Sequence, residues 1–323
     1  MIGKVNPEEL EKFVFSRTGS RRDSVIMGPA YGEDTAAIEI GGKILVVNSD
    51  PIIFAAEQIG TLGINIASND VAASGADPMW LTVIYLLPAE QRDILDRVTG
   101  QIHRASEKLG ISIVGGHSEY VPVLKRPFLG LTCFGTADRY ISTGGAEPGD
   151  DIILTKGAGI EGTGIIATDF TGRLEGKVER GVIEQGAKKM EMLSVIPESG
   201  VLREYATSMH DPTEGGIVDG LLEMAVASGV ELHVDRSRIV TSPDTDQLCE
   251  VMGVDPMKIF GSGALLAAVP ADSTEQAMKE LENMNITASV IGKVEKAQTP
   301  LIKIGEDIYR EPVRDQLYDL WED

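Results

Sequence analysis

The chain has 323 residues and a formal net charge of −21 at pH 7, because 50 acidic residues outnumber 29 basic ones. This surplus of negative charge repels the phosphates of nucleic acids and anionic lipid headgroups, so we expect neither nucleic acid nor membrane partners. Two cysteines are too few for a disulfide framework, the N-terminus is unlike a signal peptide, and no apolar run is long enough to span a bilayer. These features predict a cytoplasmic protein.

The first half of the chain alternates short apolar runs with two helical patterns. Runs rich in Val, Ile, Leu and Phe predict strands at residues 36–40, 44–47, 81–86, 111–114 and 128–134. Apolar residues at helical spacing predict helices at residues 59–74 and 90–109. A Glu-Pro-Gly-Asp turn at residues 147–150 predicts the boundary between an N-terminal domain, 1–148, and a C-terminal domain, 149–323.

The second half continues the same interleaving. The patterns predict strands at residues 151–155, 231–234 and 288–294, helices at 178–192, 216–228 and 273–284, and a polar ending. Strands and helices that alternate throughout indicate an α+β or α/β protein built in two layers.

Carboxylates recur near the ends of the predicted strands. Asp34 precedes the strand at 36–40, Asp50 follows the run at 44–47, and Asn69 and Asp70 lie inside the first helix. Aspartates at strand ends can converge on one rim, where Mg²⁺ finds oxygen ligands. The alternatives are that the strand-end residues only form turns, and that Asn69 and Asp70 only face solvent.

Two glycine-rich segments carry a histidine. Gly115 and Gly116 follow the strand at 111–114 and precede His117, so the backbone there can approach a ligand closely. Residues 210–216, HDPTEGG, open a helix whose free amides would attract phosphate oxygens. His210 could move a proton near neutral pH, whereas Asp211 or Thr213 could simply cap the helix.

Residues 157–162 spell G-x-G-x-x-G directly after a predicted strand. This is the spacing of a dinucleotide fingerprint, but no second strand ending in an acidic residue follows it, as a βαβ unit requires. An NAD-dependent dehydrogenase is therefore a minor alternative. The chain has no G-x-x-x-x-G-K-[ST] motif, so any ATP is bound without a P-loop.

Taken in order, these segments resemble the superfamily of aminoimidazole ribonucleotide (AIR) synthase, which includes HypE, thiamine-monophosphate kinase and selenophosphate synthetase. GEDTAA at 32–37 is similar to the family's G-D-D-A-A segment, with Glu33 in place of the first Asp. NDVAASGADP at 69–78 is similar to its N-D-[IL]-A-A-M-G-A-x-P helix, and GGHS at 115–118 to its G-G-[DHE]-[TS] loop. HDPTEGG at 210–216 is most similar to H-D-P-T-R-G-G of the HypE branch.

The resemblance implies a PurM-like fold in which the N-terminal sheet pairs with that of a second subunit into a dimeric β-barrel, beside a C-terminal α/β sandwich. It implies a homodimer that binds ATP and Mg²⁺ in a cleft and phosphorylates an oxygen of an acceptor. The metal ligands would be Asp34, Asp50 and Asp70. The residues near the nucleotide would be Asn69, Gly115, Gly116, His117, Lys156 and Gly215, and those near the transferred group would be His210, Asp211 and Thr213.

The chain departs from each branch of the family. It ends in DLWED without the C-terminal cysteine on which HypE acts, and it has no cysteine before Cys133 of the kind that selenophosphate synthetase uses. We therefore expect a HypE-like, Mg²⁺-dependent ATP-using enzyme with an unidentified acceptor. The alternative of another class is a non-catalytic nucleotide sensor of the same fold.

Overall fold

The computed structural model describes residues 4–53, 57–91 and 93–322. In this part of the chain, two mixed sheets are each covered by helices, and the chain passes from the first to the second after residue 137. The described helices include none that is both long and apolar enough to cross a membrane.

The N-terminal sheet has six strands in the order β1-β2-β3-β6-β4-β5, with only β4 and β5 parallel. Its strands are β1 Val25–Met27, β2 Ala36–Ile40, β3 Lys43–Ile52, β4 Asp77–Pro88, β5 Ser112–Val121 and β6 Phe128–Ala137. The helices of this half are α1 Pro7–Leu10, α2 Ile59–Ala73 and α3 Ile94–Leu109. Helices α2 and α3 cover one face, where Leu81, Leu131 and Ile102 are fully buried.

The C-terminal sheet has seven strands in the order β13-β12-β9-β11-β7-β10-β8, with only β12 and β9 parallel. The strands are β7 Asp151–Thr155, β8 Ser208–His210, β9 Val230–Val234, β10 Leu266–Val269, β11 Ala288–Lys296, β12 Leu301–Ile304 and β13 Asp307–Tyr309. The helices are α4 Ile160–Asp169, α5 Thr171–Leu174, α6 Arg180–Ala187, α7 Ile196–Leu202, α8 Gly216–Ser228, α9 Pro243–Met252, α10 Thr274–Asn283 and α11 Leu317–Glu322.

This second sheet is buried on both faces, as its apolar strands require. Successive β7 residues alternate between two apolar cores: Ile152 and Leu154 pack into one, and Ile153 packs into the other. All three side chains are at most 1% exposed. The second half is therefore a sheet between two layers of helices, which makes three layers rather than the two that the alternation of strands and helices indicated.

Helix α2 lies between the two halves of the molecule. Leu62, Ala72 and Ala73 pack into the cores of the C-terminal half, whereas Ile64 and Val71 pack into the core of the N-terminal half. A Cβ on Gly63 would lie 2.8 Å from Leu131 Cδ1, so the glycine permits close contact with the sheet. The small residues of α2 thus let this helix pack closely against both halves of the molecule.

Several predicted strands and helices were shorter or longer than those in the structure. The run at 44–47 belongs to a strand that continues to Ile52, and the run at 111–114 to one that continues to Val121. Asp50 and the Gly115–His117 segment therefore lie inside strands rather than in turns, because β6 and β4 supply ladder partners along their whole length. The helix predicted at 90–109 begins at Ile94, and the one at 178–192 covers 180–187 before a 3₁₀ turn.

Other elements were not predicted at all. Helices α4, α7 and α9 occupy segments where glycine, proline or polar residues interrupt the apolar period, and the polar ending contains β12, β13 and α11. Helix α8 was predicted with capping by Asp211 or Thr213, but Gly215 occupies its N-cap position and no side chain caps it.

Candidate active site

Three aspartates meet where the two halves of the molecule join. Asp34 lies in the loop before β2, Asp70 in α2, and Asp211 directly after β8, and one carboxylate oxygen of each lies within 4.8 Å of the other two. Asp70 and Asp211 are 5% and 1% exposed, whereas the Asp34 side chain is half-buried. We call Asp34, Asp70 and Asp211 the aspartate cluster.

Strand β3 brings two further polar side chains against Asp70. Asn48 Nδ2 donates to the Asp34 carbonyl at 3.2 Å and to Asp70 Oδ2. Asp50 is beside Asp70, and its Oδ2 is buried without a hydrogen-bond partner among the described residues. The grouping thus differs from the predicted one, since Asp211, predicted to act near the transferred group, joins Asp34 and Asp70, whereas Asp50 flanks them.

Burial and mutual repulsion disfavour the ionised form of the cluster carboxyls. Burial, followed by repulsion from Asp211, Asp50 and Asp34, raises the pKa of Asp70 well above its usual range. Burial and the Asp34 charge also raise the pKa of Asp211 well above its usual range, although the His210 charge opposes this shift. Both carboxylate oxygens of Asp211 are buried with no hydrogen-bond partner in the described chain. Unpaired, buried carboxylate oxygens that converge are the ligands that a hard cation such as Mg²⁺ takes, so the residues fit the ion.

Asn69, the neighbour of Asp70, connects α2 to the C-terminal half. Its Nδ2 donates to Leu193 O at 2.8 Å, and its Oδ1 accepts from Val195 N at 2.9 Å. The side chain is fully buried, so the interpretation that Asn69 and Asp70 face solvent is wrong. These two bonds fix the helix that carries Asp70, while Asn69 itself uses both ends of its amide on the backbone.

His210 is held on both ring nitrogens. Its Nδ1 lies 2.7 Å from Asp34 Oδ2 and its Nε2 lies 3.0 Å from Glu223 Oε2, and the ring is 1% exposed. Burial alone would disfavour a charged imidazole, but Asp34 and Glu223 together raise the pKa of His210 well above its usual value. An imidazolium with both N–H groups engaged orients Asp34 and has no free nitrogen to accept a proton.

Glu33 and Gly215 use their polar groups away from the cluster. The Glu33 carboxylate accepts from Tyr140 Oη at 3.0 Å, from Ser142 Oγ, and from the amide of Gly144 at 3.1 Å. The Gly215 amide donates to Asp315 Oδ2 at 2.8 Å, and its φ of +80° is a conformation that favours glycine. The side chain of Thr213, on the same loop, is half-buried.

Strand β5 places Gly115, Gly116 and His117 far from the cluster of the same chain. Across the sheet, Asp50 pairs with Leu131, Leu131 with Val83, and Val83 with Gly116. Three strand spacings separate Asp50 from Gly116, which is about 14 Å. His117 is exposed and its Nε2 lies 3.4 Å from Glu119 Oε2. One chain alone does not bring this segment to the aspartate cluster.

Lys156, predicted near the nucleotide, is bound within its own domain. Its Nζ lies 2.7 Å from Glu198 Oε1 and donates to the carbonyls of Met192 at 3.0 Å and Ser194 at 2.7 Å. Ser194 adjoins the Leu193 and Val195 backbone that Asn69 contacts. The ammonium therefore supports the loop against which α2 is fixed.

The sequence reasoning missed Glu223 and Lys4. Glu223 is one of two acidic residues, four apart, on an otherwise apolar helix α8, and that spacing was the available signal. Its carboxylate receives Lys4 Nζ at 2.7 Å from the N-terminal segment. Although burial opposes ionisation, the Lys4 and His210 charges lower the pKa of Glu223 to about 2.

The dinucleotide fingerprint at 157–162 does not form a nucleotide-binding βαβ unit. Strand β7 has antiparallel neighbours on both sides, β11 and β10, so the following helix does not cross over to a parallel strand. A Cβ on Gly157 would lie 2.5 Å from Val240 O, and one on Gly159 would lie 3.0 Å from Pro256 O. These glycines serve close backbone packing.

Comparison with known proteins finds two family models that match this chain. Residues 32–137 match the AIR synthase related protein N-terminal domain, and residues 147–303 match the corresponding C-terminal domain. The chain is 30% identical over 266 residues to carbamoyl dehydratase HypE of Cupriavidus necator, which covers 77% of this chain and 73% of the relative. The chain belongs to the AIR synthase-related family. It is also 31% identical over 265 residues to selenide, water dikinase of Nitratidesulfovibrio vulgaris, over 78% of this chain and 73% of that protein.

Solved structures of this family share the fold. The chain superposes on E. coli HypE with a TM-score of 0.71 and 22% identity, over 84% of this chain and 87% of the other. A HypE determined in complex with ATP gives a TM-score of 0.70 at 22% identity, over 97% and 96% of the two chains. The family consists of ATP-using enzymes with different acceptors, among them kinases and a dehydratase. The fold is thus the two-domain PurM-like α+β fold.

Proposed function

We propose that this chain is a Mg²⁺-dependent, ATP-using enzyme that phosphorylates an oxygen of a small molecule or of a group carried by a protein. The aspartate cluster is the observation that carries the proposal. Its buried and unpartnered oxygens sit at the junction of the two halves, and relatives with this fold use ATP. Phosphoryl transfer depends chiefly on positioning and on neutralising phosphate charge, which is what such a cluster supplies with a cation.

Asp34, Asp70 and Asp211 would hold Mg²⁺, and Asp50 would add an oxygen beside them. Bound Mg²⁺ would offset the charge of the ATP phosphates. His210 keeps one oxygen of Asp34 engaged, so the role we assign to it is orientation of that carboxylate. Thr213, which follows Asp211 by two residues, remains the side chain that we predict to lie near the transferred group.

We further propose that the functional form is a homodimer in which the N-terminal sheets meet. Strand β5 is an edge strand, so its outer backbone groups have no strand partner in the described chain. On the face away from α2 and α3, Trp80 is 37% exposed and Ile84 is 45% exposed. A second copy would cover these apolar side chains, and its Gly115–His117 segment would approach the aspartate cluster of the first.

Phosphate release from Mg-ATP, measured with candidate acceptors, tests the proposal. We expect Asp70→Asn and Asp211→Asn each to lower turnover by more than about 100-fold, since even residues that only support metal ligands are worth 10 to 100-fold. Asp23→Asn, at an exposed position, is the matched control and should leave turnover unchanged. Turnover retained in both cluster variants would contradict the assignment.

The alternative function within the same fold is a nucleotide sensor without turnover. Calorimetry with Mg-ATP, combined with the phosphate-release assay, separates the two functions. A sensor would bind the nucleotide through the same aspartates but would release no phosphate with any acceptor, whereas the enzyme would do both.

A further inference from the structure

Lys4 connects the N-terminal segment to the outside of the site. The Lys4 amide donates to Glu214 Oε1 at 3.1 Å, and Lys4 Nζ donates to Glu223 Oε1 at 2.7 Å. The Lys4 side chain is 45% exposed, whereas that of Glu223 is 7% exposed. The ammonium therefore reaches from the surface to a buried carboxylate.

From Glu223 the contacts continue inward to the aspartate cluster. Glu223 gives one oxygen to Lys4 and the other to His210 Nε2, at 3.0 Å. His210 Nδ1 in turn meets Asp34 Oδ2 at 2.7 Å. Four side chains, Lys4, Glu223, His210 and Asp34, thus form one hydrogen-bonded row from the N-terminal segment to a cluster aspartate.

Each member of the row depends on the next for its orientation. A buried carboxylate is stable only when its oxygens are paired, and Lys4 is the one Lys or Arg that forms an ion pair with Glu223 in the described chain. Without that ammonium, Glu223 would lose the contact that fixes its Oε1 and could turn away from the imidazole. His210 would then no longer be held against Asp34 from behind.

We propose that Lys4 is a positioning residue for the metal site, acting through Glu223 and His210 on the Asp34 carboxylate. The inference rests on the proposed function, in which Asp34 is a ligand. It assigns to the N-terminal segment a role in preparing the cation site before nucleotide arrives. Residues that orient metal ligands from behind commonly govern affinity for the ion in this way.

Manganese binding without nucleotide tests the inference, with the free ion measured by electron paramagnetic resonance. We expect Lys4→Met to weaken Mn²⁺ binding by about 10-fold, the lower end of the range for groups that support ligands. Lys4→Arg, which keeps the charge, should recover most of the affinity. Lys12→Met removes another exposed charge of the same segment and should bind Mn²⁺ like the natural protein.

A double-mutant cycle separates positioning from a general effect on folding. In a Glu223→Gln background, the further change Lys4→Met should have almost no effect, because the route to His210 is already interrupted. An unchanged Mn²⁺ affinity in Lys4→Met would overturn the inference, as would an equal loss in both backgrounds. An effect confined to ATP affinity would also overturn it, since it would place Lys4 on the nucleotide.

Failure of this inference is distinguishable from failure of the proposed function. If Asp70→Asn abolishes Mn²⁺ binding while Lys4→Met does not alter it, the metal site stands and only the role of Lys4 is rejected. If the natural protein binds no Mn²⁺ without nucleotide but releases phosphate from Mg-ATP, this inference is rejected and the proposed function stands. If it neither binds Mn²⁺ nor releases phosphate, both are rejected.

Discussion

The aspartate cluster and the Gly115–His117 segment of β5 were both predicted to lie in the active site, but their surroundings differ. The cluster gathers side chains from three elements of one chain into a buried junction. The β5 segment lies on an exposed edge strand, three strands away from Asp50. The strand pairings separate the β5 segment from the cluster within one chain. In the dimer that we propose, the two segments would instead meet across the interface between two copies.

The largest expected effect comes from mixing two inactive variants. Asp70→Asn removes a cluster ligand, and His117→Ala alters the β5 segment, so we expect each homodimer to lose most of its ATP turnover. If the partner's β5 completes each site, a mixed dimer has one intact site. Equal amounts exchanged at random should then recover about one quarter of the natural activity, because half of the dimers are mixed and each has one working site.

Phosphate release after refolding the two variants together measures this recovery, and each variant refolded alone is the control. Mixtures that stay as inactive as their components would show that His117 and Asp70 act within the same chain. A His117→Ala homodimer that keeps its turnover would show that His117 takes no part.

A charge on the open sheet face should separate metal binding from turnover. Ile84→Glu places a carboxylate where we propose that a second copy packs, and burying an unpaired charge costs several kcal/mol. We expect dimer affinity to fall at least about 100-fold in sedimentation velocity, with turnover falling alongside, while each monomer still binds Mn²⁺. Met284→Glu, at an exposed apolar position of the C-terminal half, should leave the oligomeric state unchanged.

The smallest expected effect concerns the cluster alone and its response to pH. Burial and mutual repulsion raise the pKa of Asp70 and of Asp211, so the folded protein holds these protons more tightly than the unfolded chain. Their contribution to the free energy of unfolding is present below the ordinary aspartate pKa and is lost as pH rises through the raised values. Without metal, we expect this free energy to fall between pH 5 and pH 8.

Urea unfolding at the two pH values, with and without Mg²⁺, measures this effect. Saturating Mg²⁺ or the change Asp70→Asn should make the decline smaller, since either relieves the repulsion. The free energy of unfolding could instead decline equally in the natural protein without metal, in the natural protein with Mg²⁺ and in Asp70→Asn. Other titrating groups would then cause the decline, rather than repulsion within the cluster.

Much of the fold could be predicted from the sequence because its apolar periods are strong. Strand β2 and helices α2 and α8 lie within a residue of their predicted bounds. Strands β3 and β5 extend further than predicted, because polar and glycine residues such as Ser49, Asp50 and Gly115 are held there by ladder partners rather than by propensity. Helix α9 has a polar sequence and is stabilised by packing against neighbouring helices.

For the candidate site, the sequence singled out the aspartates that the structure brings together, but neither their grouping nor their partners. Asp34, Asp70 and Asp211 stand in recognisable segments, so their importance could be inferred. Tertiary packing alone brings Asp211 into the cluster and places Asp50 beside it. It also brings Lys4 to Glu223, 219 positions further along the chain. No local pattern reports such distant pairings.

A crystal structure with Mn²⁺ and a non-hydrolysable ATP analogue would locate the metal directly, because the anomalous signal of manganese marks its position. We expect a peak about 2.0 to 2.3 Å from carboxylate oxygens of Asp34, Asp70 and Asp211, with the nucleotide phosphates as further ligands. A peak elsewhere, or a nucleotide whose metal does not contact these aspartates, would show that the aspartate cluster is not the metal site.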